Sequence, residues 1–470
     1  MRKVAVITLL VQLSACSLIP EYLRPQAPVA TEFPSYGNSN PANTGTVTDS
    51  IAADISWQTL FADARLQKLI TLALEKNRDL RIAALDIEAA RAQYRIQQAA
   101  RLPTINATAD ATRARSANIF GTGTGVLPPY TIYSVGLGFT AYELDFFGRI
   151  GSLKEQALQQ FIATQEARTS AQISLVAEVA NAYLNERALD ERLAIAKQTQ
   201  TSQQASYELA RKIFDVGNSS ALDLRIAETQ LETANANIAG LKRQRAQAEN
   251  ALALLIGSPL PADLPAPQAL NSQLTVSELQ PGLPSELLTR RPDIRQAENL
   301  LKAANANIGA ARAAFFPTIK LTTTVGTASR ELDGLFKSDS TIWNFSPQLV
   351  LPIFDAGRNK ANLTLAEIQK DINIARYEKA IQTAFSEVAD ALATSTLINK
   401  QIAAQQRLVD AEQARFQLAE LRYRNGLDSN LNLLDAQRSL YTTQQALVEL
   451  RLSRMSSLVT LYKALGGGWN

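Results

Sequence analysis

Histidine is absent from all 470 residues. Nucleophile–histidine arrangements such as Ser-His-Asp and Cys-His are thereby excluded, and so is any histidine metal site. Carboxylate-only or Ser-Lys chemistry survives in principle, but no spacing supports it. The expectation is a protein that is not an enzyme and carries no cofactor. Cysteine occurs once, at Cys16, so no disulfide can form within the chain. No stretch reaches the roughly 18 consecutive apolar residues of a membrane-spanning helix. Neither sign of charge dominates: 47 Lys and Arg against 44 Asp and Glu leave a net charge of +3. No basic face for nucleic acid is implied.

A further absence is local. Glycine and proline are missing from Ser152 to Val216, and again from Asn359 to Asn425. Each run is about 65 residues, or roughly 100 Å as a continuous helix at about 1.5 Å per residue. That is several times the span of an ordinary globular helix. Both runs follow a Gly-Arg pair (Gly148-Arg149 and Gly357-Arg358), and both end at a glycine, Gly217 and Gly426. A shift of about 209 positions superposes them. It lays Glu178-Val179-Ala180 on Glu387-Val388-Ala389, and Leu222, Leu224, Ala227 and Leu231 on Leu431, Leu433, Ala436 and Leu440. So long a period does not suit a solenoid; it points to two fused copies of one helical unit.

The N-terminus reads as a targeting segment over residues 1–15, with Arg2 and Lys3 ahead of a short apolar core from Val4 to Leu13. Leu13-Ser14-Ala15-Cys16 resembles the lipobox of bacterial lipoproteins, whose cysteine receives diacylglycerol and palmitoyl groups and becomes the mature N-terminus. An ordinary secretory signal with an incidental cysteine is the alternative. Ser17 in place of an aspartate suggests the outer membrane. Residues 16–56, rich in Pro, Ser, Asn and Thr, are expected to lie extended over the surface. The first repeat is then 57–257, the Pro-rich stretch 258–292 a linker, and 293–470 the second repeat.

Within each repeat a medium helix stops before a proline: Leu80 to Arg101 before Pro103, and Asp293 to Phe316 before Pro317. Asn77 or Asp79 is positioned to cap the first. Past each proline the period becomes alternating. Val135, Leu137 and Phe139 interleave with Ser134, Gly136 and Gly138, while Trp343, Phe345, Leu349 and Leu351 share one parity against Asn344, Ser346 and Gln348. Each copy thus holds a strand pair of roughly 10 to 13 residues with one apolar and one polar face, the length of a membrane strand. A soluble hairpin packed on helices is the alternative. Four strands cannot close a barrel, and an open edge in lipid leaves backbone groups unpaired at several kcal/mol each. If the strands lie in a membrane, several chains must share the barrel, and cyclic oligomers are the usual solution. Another helix closes each copy, from Ser219 to Ile256 and from Leu427 to Leu465.

Several motifs together carry a family resemblance: Cys16-Ser17-Leu18-Ile19-Pro20, Glu143-Leu144-Asp145-Phe146-Phe147-Gly148-Arg149, and Leu287-Leu288-Thr289-Arg290-Arg291-Pro292-Asp293-Ile294. Gly309 to Pro317 and Leu434-Asp435-Ala436-Gln437-Arg438-Ser439-Leu440 complete the set. Over essentially its whole length the chain resembles the outer-membrane factor family of tripartite efflux pumps, the TolC-like channels, and most nearly their OprM-type lipoproteins. The resemblance implies a homotrimer: a 12-stranded β-barrel, four strands per chain, continued by a long α-helical barrel into the periplasm. It implies a periplasmic adaptor and an inner-membrane resistance-nodulation-division transporter as partners, and outer-membrane lipid around a lipid-anchored channel. The same fold could serve protein secretion or metal-ion export, although the absence of histidine and two methionines in all count against a copper or silver exporter. A non-conducting coiled-coil spacer would account for the helices but not the strands.

Family members close the periplasmic tip with rings of side chains. Carried over by motif, Leu431 would give an apolar ring and Asp435 an acidic ring, with Tyr423 and Arg438 latching neighbouring helices. Asp435 and Arg438 stand three apart on one helix face, so an intrachain pair is also available, and an exposed salt bridge is the bland alternative. A ring of carboxylates should repel itself, raise its own pKa and attract cations. Asn432 stands where the resemblance would place a second acidic ring. Asp223, its counterpart in the first copy, forms a Ser-x-x-Asp pattern with Ser220 and reads as a capping box. Asp223 and Asp428 are therefore secondary tip residues.

Overall fold

Polar caps and prolines set the limits of the early helices. In the computed structural model, which describes residues 17–34, 55–115, 129–270, 274 and 284–467, the Ser56 hydroxyl accepts from the amide of Thr59 and starts α1 (Trp57–Leu60). Asp63 accepts from the amide of Arg65 at 2.7 Å and starts α2 (Ala64–Lys76). Asn77 Oδ1 accepts from the amide of Leu80 at 2.8 Å. It thereby caps α3, Arg78–Ala99, two residues upstream of the expected helix at each end. In the second copy α7 (Pro292–Ala313) starts on its proline, at a position where a helix needs no N–H. Phe315 and Phe316 donate to Arg312 and Ala313, three residues back, so the chain tightens and leaves the helix before Phe316. The stretch 258–292 contains structure that its prolines conceal: α6 spans Pro284–Arg290, and Leu274 pairs with Phe61 in an isolated bridge.

The two strand pairs join into one four-stranded antiparallel sheet, in the order β1 (Asn106–Ala114), β2 (Tyr130–Leu144), β3 (Thr318–Ser329), β4 (Thr341–Val350). Cross-strand register aligns Ala107, Leu137, Val325 and Trp343 in one row, and Asn106, Gly138, Thr324 and Asn344 in the next. Alternate side chains point to opposite faces, so one face is apolar and the other small or polar. A bulge separates Phe139 from Tyr142, with Ala141 at φ 56 and its amide donating to Thr322 Oγ1 at 3.0 Å. The extra residue carries Tyr142 and Leu144 to the side that Phe139 occupies. This extends β2 to 15 residues, beyond the run that strict alternation picks out. Trp343 is 77% exposed, and among the described residues neither β1 nor β4 has an outer neighbour.

After each sheet half comes a 67-residue helix, α4 (Arg149–Asp215) and α8 (Arg358–Arg424), then α5 (Ala221–Ile256) and α9 (Asn430–Ala464). Among the described residues no helix is long and apolar enough to cross a membrane. Spatial grouping cuts across the duplication. The described residues among Met1–Gln26, Ile87–Thr164 and Ala297–Tyr377 form one compact unit, which holds the sheet; those among Ala27–Asp86, Gln165–Gln296 and Glu378–Asn470 form the other. In the first, the extended residues 17–26 are strapped to α7. Arg24 donates through Nε and Nη2 to Glu298 at 3.0 and 2.8 Å, and Asn305 donates to the carbonyl of Pro20 at 2.7 Å. In the second, α2 packs on α5, with Leu66, Leu69, Ile70, Leu252 and Ile256 fully buried. Each such side chain stabilises the fold by about 1.5–3 kcal/mol. Asp63, wholly buried, also accepts from the Tyr183 hydroxyl at 2.7 Å, so one carboxylate caps α2 and ties it to α4.

Candidate functional site

The site is built on the turn between α8 and α9. Gly426 adopts φ 67, its amide donates to Tyr423 at 3.0 Å and that of Leu427 to Arg422 at 2.9 Å. This left-handed helix ending favours a residue without a Cβ. The first-copy turn repeats it: Gly217 has φ 79, and the amides of Gly217 and Asn218 donate to Phe214 and Ile213 at 2.9 and 3.0 Å. Two identical backbones therefore present different side chains.

In the first copy Ser220 Oγ accepts from the amide of Asp223 at 3.2 Å, and Asp223 Oδ2 accepts from the amide of Ser220 at 3.3 Å, which closes the capping box. The Ser220 hydroxyl bond, first among several, holds the Asp223 carboxyl below the ordinary carboxylate range. In the second copy Ser429 makes no side-chain cap bond. Asp428 serves the turn instead, accepting from Asn432 Nδ2 at 2.7 Å, the amide of Ser429 at 2.8 Å and Arg422 Nε at 3.1 Å. The Asn432 bond, then those of Ser429 and Arg422, keep its carboxyl low.

One turn further along α9, Asp435 Oδ1 accepts from Arg438 Nη2 at 2.7 Å, so the intrachain pair exists. Its Oδ2 is taken by Arg415 Nη2 from α8, and Arg415 Nη1 in turn donates to Glu412 at 3.2 Å. Arg415 first, and Arg438 after it, hold the Asp435 carboxyl below its usual range. That direction is opposite to what a ring of bare carboxylates would impose, because the Asp435 carboxylate lies between the guanidiniums of Arg415 and Arg438. Arg415 is absent from the sequence reading. The signal for it was hairpin symmetry: 415 and 435 stand equally far from residue 425 at the turn.

Tyr423 is half-buried, and its hydroxyl pKa is raised by burial and then by the charge of Asp223. Asp223 is therefore both a capping residue and the anionic neighbour of Tyr423, a double role that its capping pattern concealed. Leu431 is 66% exposed, Leu427 67% and Leu222 68%, so the apolar side chains beside both turns are uncovered. Beside Arg438 a cavity of about 190 Å³ is lined by Thr199, Gln203, Asn237, Gln437, Arg438 and Tyr441, among others. Gln437 Nε2 donates to Ser206 Oγ at 3.3 Å and links α9 to α4. Cys16, the expected lipidation site, lies outside the described residues.

The model of the family described as outer membrane efflux protein matches residues 69–258 and 283–467. The chain is 49% identical to the antibiotic efflux pump outer membrane protein ArpC of Pseudomonas putida, over 97% of this chain and 93% of that protein. Identity and coverage are the same, 49%, 97% and 93%, for the toluene efflux pump outer membrane protein TtgC, also of Pseudomonas putida. Among solved structures, the open state of the Neisseria gonorrhoeae MtrE outer membrane channel superposes with a TM-score of 0.86 at 44% identity, covering 97% of this chain and 99% of that one.

Proposed function

Because the chain belongs to the outer membrane efflux protein family, we propose that it is the outer-membrane exit duct of a tripartite multidrug efflux pump. It conducts cargo passively, without chemistry on it, from a periplasmic adaptor and an inner-membrane resistance-nodulation-division transporter to the cell exterior. Organic solvents and antibiotics, named for its relatives, are the cargo classes to test. The observation that carries the reading is the four-stranded sheet with an exposed apolar face and, among the described residues, two edges without a neighbouring strand. Lipid cannot satisfy those edges, but three copies can. Twelve strands would then close a barrel of ordinary size for an outer membrane, with Cys16 supplying a lipid anchor.

The tip side chains Leu431, Asp435, Arg438 and Tyr423 form the valve of this duct, with Asp223 and Asp428 in support. Opening moves the α8–α9 hairpin. In planar bilayers the Asp435→Ala and Arg438→Ala proteins should each conduct more than the parent in single-channel records. Unchanged conductance in both removes the gate assignment. A strain deleted for the protein should become sensitive to several unrelated antibiotics and to toluene, and the adaptor should co-purify with the duct.

A further inference from the structure

We infer that Arg415 is a positioning residue of the tip that sets its ion selectivity, by docking Asp435 onto α8 and cancelling its charge. The inference rests on the duct reading above.

Three observations carry it. First, Glu412, Arg415, Asp435 and Arg438 form one continuous chain of ion pairs, two acids and two bases, so the chain as a whole is neutral. Both carboxylate oxygens of Asp435 are occupied by guanidinium nitrogens. Second, Arg438 lies on the same helix as Asp435, whereas Arg415 comes from the facing helix α8. Within this chain of charges only the Arg415 bond joins the two arms of the hairpin. Third, the matching positions of the first copy are Gln203, Ser206, Ile226 and Thr229, none of them charged, although the turn between those helices has the same backbone. The whole charged chain belongs to the second-copy hairpin alone.

These positions are solvent-exposed, with side-chain exposures of 46% for Arg415 and 39% for Asp435, so passing ions sense their net charge. A carboxylate left bare within about 5 Å of a passing ion changes the local ion concentration several-fold even in water. The parent tip should therefore discriminate weakly between potassium and chloride, and removing Arg415 should expose one negative charge in every chain.

The test is the reversal potential of the full-length protein in planar bilayers under a potassium chloride gradient. Arg415→Gln should raise the potassium-to-chloride permeability ratio by about fourfold or more, and Arg415→Lys should restore it to near the parent value. The double variant Arg415→Gln with Asp435→Asn should lose the gain, because Glu412 and Arg438 then remain with no net charge. Glu412→Gln, which needs no change at Arg415, should move the ratio the opposite way. An unchanged ratio in Arg415→Gln overturns the inference, as does a double variant as cation-selective as the single one. A parent protein that forms trimers but passes no current overturns the duct reading itself.

Discussion

Arg291 is the hub on which the second copy closes, and replacing it measures how much that closure contributes. Its side chain is 8% exposed. Nε and Nη2 fork onto Asp293 at 3.0 and 2.6 Å, while Nη1 donates to Glu387 on α8 at 2.7 Å and to the Ala464 carbonyl at the end of α9 at 3.0 Å. Burial alone would lower its pKa, yet the bonds to Asp293 and Glu387 outweigh burial and leave the guanidinium more basic than usual. Arg291→Met keeps most of the volume but strands two carboxylates and one helix-terminal carbonyl. Removing one partner of a buried pair costs about 3–5 kcal/mol. Asp293 and Glu387 are 35% and 39% exposed, so water recovers part of that, and about 3 kcal/mol remains. Arg291→Lys retains the charge but cannot fork onto Asp293 while reaching Glu387 and Ala464, for a loss of about 1–2 kcal/mol. At about 2 °C per kcal/mol for a large domain, thermal unfolding in detergent should fall by about 6 °C for Met and 2–4 °C for Lys. Met within 1 °C of the parent, or no worse than Lys, refutes the hub.

Two further outcomes follow from the tip and the sheet. Asp435 is held below the ordinary carboxylate range, so the contribution to closure proposed for it is present above the unfolded value of about 3.9 and is lost only as pH falls through the lower folded value. Single-channel conductance should therefore stay flat from pH 8 to about 5 and rise only below about pH 4; a rise centred near pH 6 would point instead to carboxylates repelling one another. In the sheet, a Cβ at Gly326 would collide with the Val135 carbonyl and come within 2.5 Å of the Gly136 Cα, so Gly326→Val should abolish membrane-inserted, heat-modifiable trimers. Gly240→Ala, with open space around it, should leave them intact.

What was legible in the sequence was what repeats at short range. The glycine-free runs marked both 67-residue helices, the alternation beside Pro103 and Pro317 marked four strands, and Ser220 with Asp223 marked a capping box that the fold contains. Errors collect where a distant residue decides. The bulge beyond Phe139 breaks the period because Thr322 on another strand holds the amide of Ala141. The helix α6 hides among prolines, and its ending is stabilised by Arg291 reaching to α8 and α9.

Asp435 illustrates the same limit at the functional site. Read along the helix, it has one partner, Arg438, and the remaining freedom to form a repelling acidic ring. Read across the hairpin, it has a second partner equally far from the turn, Arg415, which is the first cause of its lowered pKa. Local pattern along α9 therefore shows one partner of Asp435 and conceals the one that α8 supplies. Both turns have the same left-handed glycine and the same pair of backbone bonds, so backbone geometry alone does not single out the hairpin proposed as the valve. The difference lies in side chains: a self-contained Ser220–Asp223 cap on one, and a chain of four charges bridging two helices on the other. In the proposed duct both hairpins must be alike in shape, and the valve hairpin must be held by bonds that can be exchanged. Exposed ion pairs meet that second need better than apolar packing does, since water and neighbouring subunits can replace each partner as the helices separate.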